Sequence, residues 1–205
     1  MKNTVIVDID GVLANYRLGL LYWFRQSFPR FAQKANDHLQ REDTWINAES
    51  MGVSYREYLE AIEMFRMSGG KRAIPLFDGA RDLLTWCKYK NYEIVLLTSR
   101  PIDLCSNIYP DTVDWLRNNE LPYDLLLWSK NKSEMVFRMR LMDKIVFAID
   151  DEYGHILDYH KLGIPSCWID LYKKSMEHSL STSKMEDVKV YPSMRALVNS
   201  LKEEA

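Results

Sequence analysis

The sequence predicts an α/β protein built on a doubly wound, mostly parallel sheet, and three observations carry that expectation. Short β-branched or aliphatic runs recur at residues 4–7, 93–97, 125–128, 145–149 and 166–169. Helical segments separate most of them, and strands alternating with helices favour parallel pairing through crossover connections. Several of the runs also end in carboxylate, hydroxyl or lysine residues, and ligands of open α/β sheets bind outside the carboxyl ends of the strands.

Taken in order, Thr4-Val5-Ile6-Val7 reads as a buried strand feeding a turn at Asp8-Ile9-Asp10-Gly11. The next stretch does not alternate. It holds two helical blocks, Tyr16–Phe28 and a second that opens at Ser54, where Ser54 and Glu57 have capping-box spacing, and continues through Met64 and Phe65. Gly69, Gly70 and Pro75 punctuate the return to alternation. The expected organisation is therefore a core of residues 1–14 and 75–205, with a helical cap, residues 15–74, inserted after the first strand. Beyond the insertion, helices are expected at Ala80–Tyr89, Asp111–Asn118, Ser133–Met142 and Tyr153–Leu162. Pro110 suits a first turn and Gly163 a helix stop. Val188–Tyr191 and Ser193–Glu203 read as a last strand and helix, and Lys173–Glu186 as a polar loop.

Composition narrows the function classes. The chain has 205 residues, 47% hydrophobic and 27% charged, which suits one full domain plus a modest insertion. A net charge of −2 and a pI of about 6.1 argue against a dedicated nucleic-acid binder, which carries clustered Lys and Arg. Small anionic substrates remain open, because a pocket can be positive in a slightly acidic protein. Cys87, Cys105 and Cys167 form no CxxC pair and no zinc-ligand spacing, so buried free thiols in a reducing compartment are expected. The apolar run before Asp8 is too short for a signal peptide, and no stretch approaches a transmembrane length. The expected location is the cytoplasm, with no membrane partner.

Four polar signals end four different expected strands: Asp8-Ile9-Asp10-Gly11, Thr98-Ser99-Arg100-Pro101, Lys130 with Lys132, and Asp150-Asp151. Singly each has a bland reading as a cap, a turn or a solvated face. Together they would be gathered along one sheet edge. Asp8, Asp10, Asp150 and Asp151 would repel one another there unless a cation neutralised them. Oxygen ligands without His or Cys select a hard ion, and Mg²⁺ prefers a few carboxylates, waters and a substrate phosphate. A carboxylate is a competent nucleophile toward phosphorus once the phosphoryl charge is masked. A lysine and a hydroxyl opposite it would hold the equatorial oxygens.

In order and spacing, Asp8-Ile-Asp-Gly-Val, Thr98, a lysine before a helix, and Ala-Ile-Asp150-Asp151 resemble the four motifs of haloacid dehalogenase superfamily phosphatases. The resemblance implies that Asp8 attacks the phosphate. It implies that Asp10 protonates the leaving oxygen and then activates water. Asp8, the backbone carbonyl of Asp10 and Asp150 would bind Mg²⁺, with Asp151 supporting; Thr98, Ser99 and the motif lysine would bind phosphate. Lys132 is favoured for that lysine because Ser133-Glu134-Met135 continues directly into a helix, and Lys130 is the alternative. Arg100 could contact substrate or cap a turn. Within the superfamily, Asp-Gly-Val-Leu-Ala, Phe77-Asp-Gly-Ala and Thr98-Ser-Arg-Pro are most similar to the 5′(3′)-deoxyribonucleotidase group. The C-terminal half also resembles the phosphatase domain of phage polynucleotide kinases. The implied substrate is a small phosphate ester, a nucleoside monophosphate, acted on by a monomer or homodimer. A nucleic-acid 3′-end phosphatase and a non-catalytic phospholigand-binding relative are the alternatives. The insertion is rich in aromatics, among them Tyr22, Trp23, Phe24, Phe31, Tyr58 and Phe65, expected mostly as the small core of a cap.

Overall fold

Among the described residues, the β-branched and aliphatic runs form six strands: β1 (Thr4–Val7), β2 (Glu93–Thr98), β3 (Leu125–Trp128), β4 (Ile145–Asp150), β5 (Ser166–Ile169) and β6 (Val188–Tyr191). The computed structural model describes residues 3–41, 44–172 and 185–203. Among these the α-helices are α1 (Tyr16–Ser27), α2 (Pro29–Leu39), α3 (Tyr55–Met67), α4 (Ala80–Tyr89), α5 (Ile108–Asn118), α6 (Lys132–Arg138), α7 (Tyr153–Lys161) and α8 (Met194–Glu203). The strands make one sheet in the order β3-β2-β1-β4-β5-β6, and every pairing is parallel. Strand order runs outward from β1 through β2 to β3, then resumes on the other side of β1 with β4. That reversal creates a crevice at the carboxyl ends of β1 and β4.

The chain divides into two compact units. The first comprises Met1–Ala14, Phe77–Arg100 and Leu121–Ala205, and it contains the sheet. Its inner strands are apolar on both sides because both faces are covered. Ile6, Val95, Leu97 and Ala148 pack with Val136 of α6 and Tyr159 of α7. On the opposite face the ring of Trp86 in α4 lies 6.5 Å from that of Phe147 in β4. Arg195 of α8 reaches both Asp78 and Asp82, tying that helix to the start of α4.

The second unit comprises Asn15–Leu76 and Pro101–Glu120. Asn15 caps α1 by accepting from the Leu18 N–H at 3.1 Å, and the Ser54–Glu57 capping box opens α3 as its spacing predicts. Helix α2 lies between the two expected helical blocks, where no helix was expected. Pro29 occupies its first helical position, where the missing N–H costs nothing. Phe31, Ala35 and His38, spaced i, i+4 and i+7, supply its buried face. The buried guanidinium of Arg17 donates to the carbonyls of His38, Arg41 and Thr44, fixing the chain beyond α2. Phe24 meets Phe31 and Tyr58 edge-on with centroids 5.1 and 6.0 Å apart, so most of the aromatics are core, while Tyr22, Trp45 and Tyr55 stay exposed.

Helix α6 ends at Arg138, four residues short of the expected Met142, and a 3₁₀ turn at Met142–Lys144 follows Arg140, whose φ of 53° cannot continue a helix. Strands β2 and β4 each run one residue further than expected, ending on Thr98 and Asp150. Residues 173–184 of the expected Lys173–Glu186 loop lie outside the described residues. All three cysteines are buried, and none is in a disulfide. Among the described residues no helix is long and apolar enough to cross a membrane.

Candidate active site

Parallel register aligns the strand ends, and the polar residues follow from it. Val7 is level with Leu96 on one side and Ile149 on the other, so Asp8 emerges beside Asp150. The Asp8 N–H donates to the Ile149 carbonyl at 3.0 Å, extending the ladder by one residue. The chain then folds tightly back on itself. The Leu13 and Ala14 N–H groups donate to the Ile9 carbonyl at 2.9 and 2.7 Å, and the Gly11 N–H to the Ala14 carbonyl at 2.9 Å. Gly11 has φ +88°, and a Cβ there would lie 2.2 Å from Cγ of Asp151. Only glycine permits both the backbone and the Asp151 carboxylate resting against it.

Lys132 opens α6 behind Asn131, whose side chain caps the helix by accepting from the Glu134 N–H at 3.0 Å. From there its ammonium reaches Asp8 Oδ1 at 2.6 Å and Asp150 Oδ2 at 2.7 Å, with all three side chains buried. Lys130 is exposed and lines a shallow groove with Ser99 and His155 instead. Asp150 is further fixed by the Glu152 N–H, which donates to its Oδ1 at 3.0 Å. Thr98, buried, accepts from the Arg100 N–H at 3.3 Å through its hydroxyl.

Carboxylate oxygens of Asp8, Asp150 and Asp151 lie within 4.8 Å of one another. Three carboxylates around one ammonium leave a surplus of negative charge. Burial and the Asp150 charge push the Asp8 carboxyl up to about 7, even though Lys132 works the other way. Burial, then Asp150 and Asp8, hold Asp151 well above the usual carboxylate range. Burial alone would lower the Lys132 ammonium, but Asp8 and Asp150 outweigh it and keep it charged. An all-oxygen donor set carrying excess charge fits a hard divalent cation, and the cradle that Gly11 leaves open for Asp151 belongs to the same arrangement.

Asp10 lies apart from that cluster of three. Its carboxylate is gripped by Arg100, with Nε 3.1 Å from Oδ2 and Nη2 2.7 Å from Oδ1. Sequence reasoning left Arg100 undecided; its only signal was its place two residues after Thr98. Tyr159 was not singled out at all, being one apolar-face residue of α7. Its buried hydroxyl has no hydrogen-bond partner among the described residues, and burial followed by the Asp150 charge keeps it neutral.

No family model and no curated protein matches the sequence. Solved structures do match the fold. A putative beta-phosphoglucomutase from Thermotoga maritima superimposes with a TM-score of 0.62 at 16% identity, covering 100% of both chains. An L-2-haloacid dehalogenase from Xanthobacter autotrophicus, with chloropropionic acid covalently bound, gives 0.60 at 10% identity over 100% of both. A D,D-heptose 1,7-bisphosphate phosphatase from Burkholderia thailandensis gives 0.56 at 10% identity, covering 98% of this chain and 99% of that one. The six-stranded parallel sheet with flanking helices is thus the Rossmann-like haloacid dehalogenase fold.

Proposed function

We propose that the protein is a Mg²⁺-dependent phosphomonoesterase working through an aspartyl-phosphate on Asp8, with a nucleoside monophosphate as substrate. One observation carries this reading: the Asp8 carboxylate lies 2.6 Å from the Lys132 ammonium within a cluster of three carboxylates at the carboxyl ends of β1 and β4. Two of the three structures described above are named for phosphate chemistry, which agrees with a phosphate ester as substrate.

Asp8, Asp150, Asp151 and the backbone carbonyl of Asp10 would hold Mg²⁺, which when bound masks phosphoryl charge. In the first half-reaction an Asp8 oxygen forms a bond to phosphorus as the ester P–O bond breaks, and Asp10 gives its proton to the departing oxygen. In the second, water takes the phosphoryl group from Asp8 while Asp10 accepts its proton. Lys132 has three N–H donors, of which Asp8 and Asp150 engage two, leaving one for a phosphoryl oxygen. Thr98 and Ser99 would supply hydroxyls to the others.

Exposed aromatics of the helical insertion, Tyr22 and Trp45, offer ring faces of the kind that stack on a base, which agrees with a nucleotide. The groove beside the site mixes Lys130 and His155 with Glu152 and Asp158, and those acids disfavour a polynucleotide backbone. The test is inorganic phosphate release over a panel of nucleoside and sugar monophosphates with and without Mg²⁺. Release from nucleotides only with the metal supports the reading; no release from any ester leaves a phospholigand-binding module.

A further inference from the structure

We propose that Arg100 is a positioning residue for Asp10, and that through Asp10 it decides how well the site expels a poor leaving group; the inference rests on the phosphatase reading above. The two N–H···O contacts at 3.1 and 2.7 Å join different nitrogens to different oxygens. Such a fork fixes the plane and direction of a carboxylate, where a single contact would fix only a distance. The pair is also asymmetric. The Arg100 side chain is 0% exposed and that of Asp10 is 24% exposed, so a fully buried arginine holds a carboxylate that is partly exposed.

Arg100 is itself well fixed. Its N–H donates to the Thr98 hydroxyl, so the phosphate-side hydroxyl and the Asp10 clamp share one short piece of chain. Pro101 follows, restricting Arg100 to extended conformations, and Arg100 is the last residue of its segment of the first unit. A proton donor misplaced by about 1 Å can cost about 10²-fold in rate, so an arginine that aims Asp10 acts on the reaction without touching substrate.

The experiment compares wild type, Arg100→Lys and Asp10→Asn, singly and combined, on two esters: an alkyl phosphate, whose alkoxide needs a proton to leave, and 4-nitrophenyl phosphate, whose phenolate does not. Arg100→Lys keeps the charge but loses the fork. The reaction is followed with enzyme in excess over ester, so that only the first half-reaction is read. The substitution is expected to slow release of the alcohol from the alkyl ester about 10–10²-fold. Release of nitrophenolate should be nearly unaffected, because Asp10 activates water only after that step. In the Asp10→Asn background the same substitution should cost almost nothing further. Melting temperatures report folding, and Arg100→Gln provides a second variant if the lysine is not accommodated. Equal losses in leaving-group release from both esters, a loss that persists in the Asp10→Asn background, or an unchanged single-turnover rate on the alkyl ester would overturn the proposal. A wild-type protein that hydrolyses neither ester would instead overturn the phosphatase reading, and this inference with it.

Discussion

The ammonium of Lys132 lies 2.6 Å from Asp8 Oδ1, a contact between buried groups 124 positions apart in the chain. It joins the turn after β1 to the first residue of α6 and brings the proposed nucleophile and phosphate ligand together. Replacing Lys132 with methionine keeps the bulk but leaves Asp8 and Asp150 without their cation. Breaking a buried pair in this way typically costs about 3–5 kcal/mol. Lys132→Met should therefore melt well below wild type, recover part of the difference in Mg²⁺, and lose activity on all esters alike. A melting temperature equal to wild type without metal would show that the pair carries no such burden.

Gly11 makes a second test of the same cluster. With φ +88° and no room for a Cβ beside Asp151, Gly11→Ala must shift either the turn or the carboxylate. Backbone strain of this kind is worth about 1–3 kcal/mol. The expected outcome is a lower melting temperature and a weaker thermal shift on adding Mg²⁺. An unchanged Mg²⁺ response would separate Asp151 from the cation site.

Much of this was legible in the sequence. The strand at Thr4–Val7 and the polar residues ending the other runs announce a parallel sheet with a polar edge, because strands buried on both faces must be apolar until they end. Helix α2 was hidden because Pro29 has two opposite meanings, a stop after one helix or the first residue of the next. Its buried face is a pattern of only Phe31, Ala35 and His38. The Asp10–Arg100 fork was hidden for a different reason. Ninety positions separate the two residues, and nothing in local spacing says which acid an isolated arginine will meet.

Substrate length separates the nucleotidase reading from end repair. Each additional phosphate of a polynucleotide needs a cation, and such binding falls steeply with salt. Higher kcat/KM is expected on a mononucleotide than on an oligonucleotide with the same terminal phosphate, with little salt dependence. Preference for a 3′-phosphorylated oligonucleotide at moderate salt would replace the nucleotidase reading.

The thiols give a test of packing independent of chemistry. Burial pushes Cys87 up to about 12 from an ordinary 9.0, and Cys105 and Cys167 are buried too. Native protein at pH 8 should resist an aromatic disulfide reagent, and denatured protein should release three equivalents. Because the folded thiol holds its proton more tightly, its contribution to stability is full below pH 9.0 and is lost as pH rises towards about 12. Cys87→Ala should therefore flatten that alkaline limb of the unfolding profile, and an identical limb in both proteins would refute the assignment.

The account turns on Asp8 carrying the phosphoryl group. Asp10→Asn should slow hydrolysis of the intermediate, so this variant, mixed with Mg²⁺ and a good leaving-group ester and quenched in acid, is the sample to examine. Peptide mass spectrometry should then find one phosphoryl group on Asp8, removed by hydroxylamine. Steady phosphate release with Asp8 unlabelled, or with the label on another residue, would contradict the account.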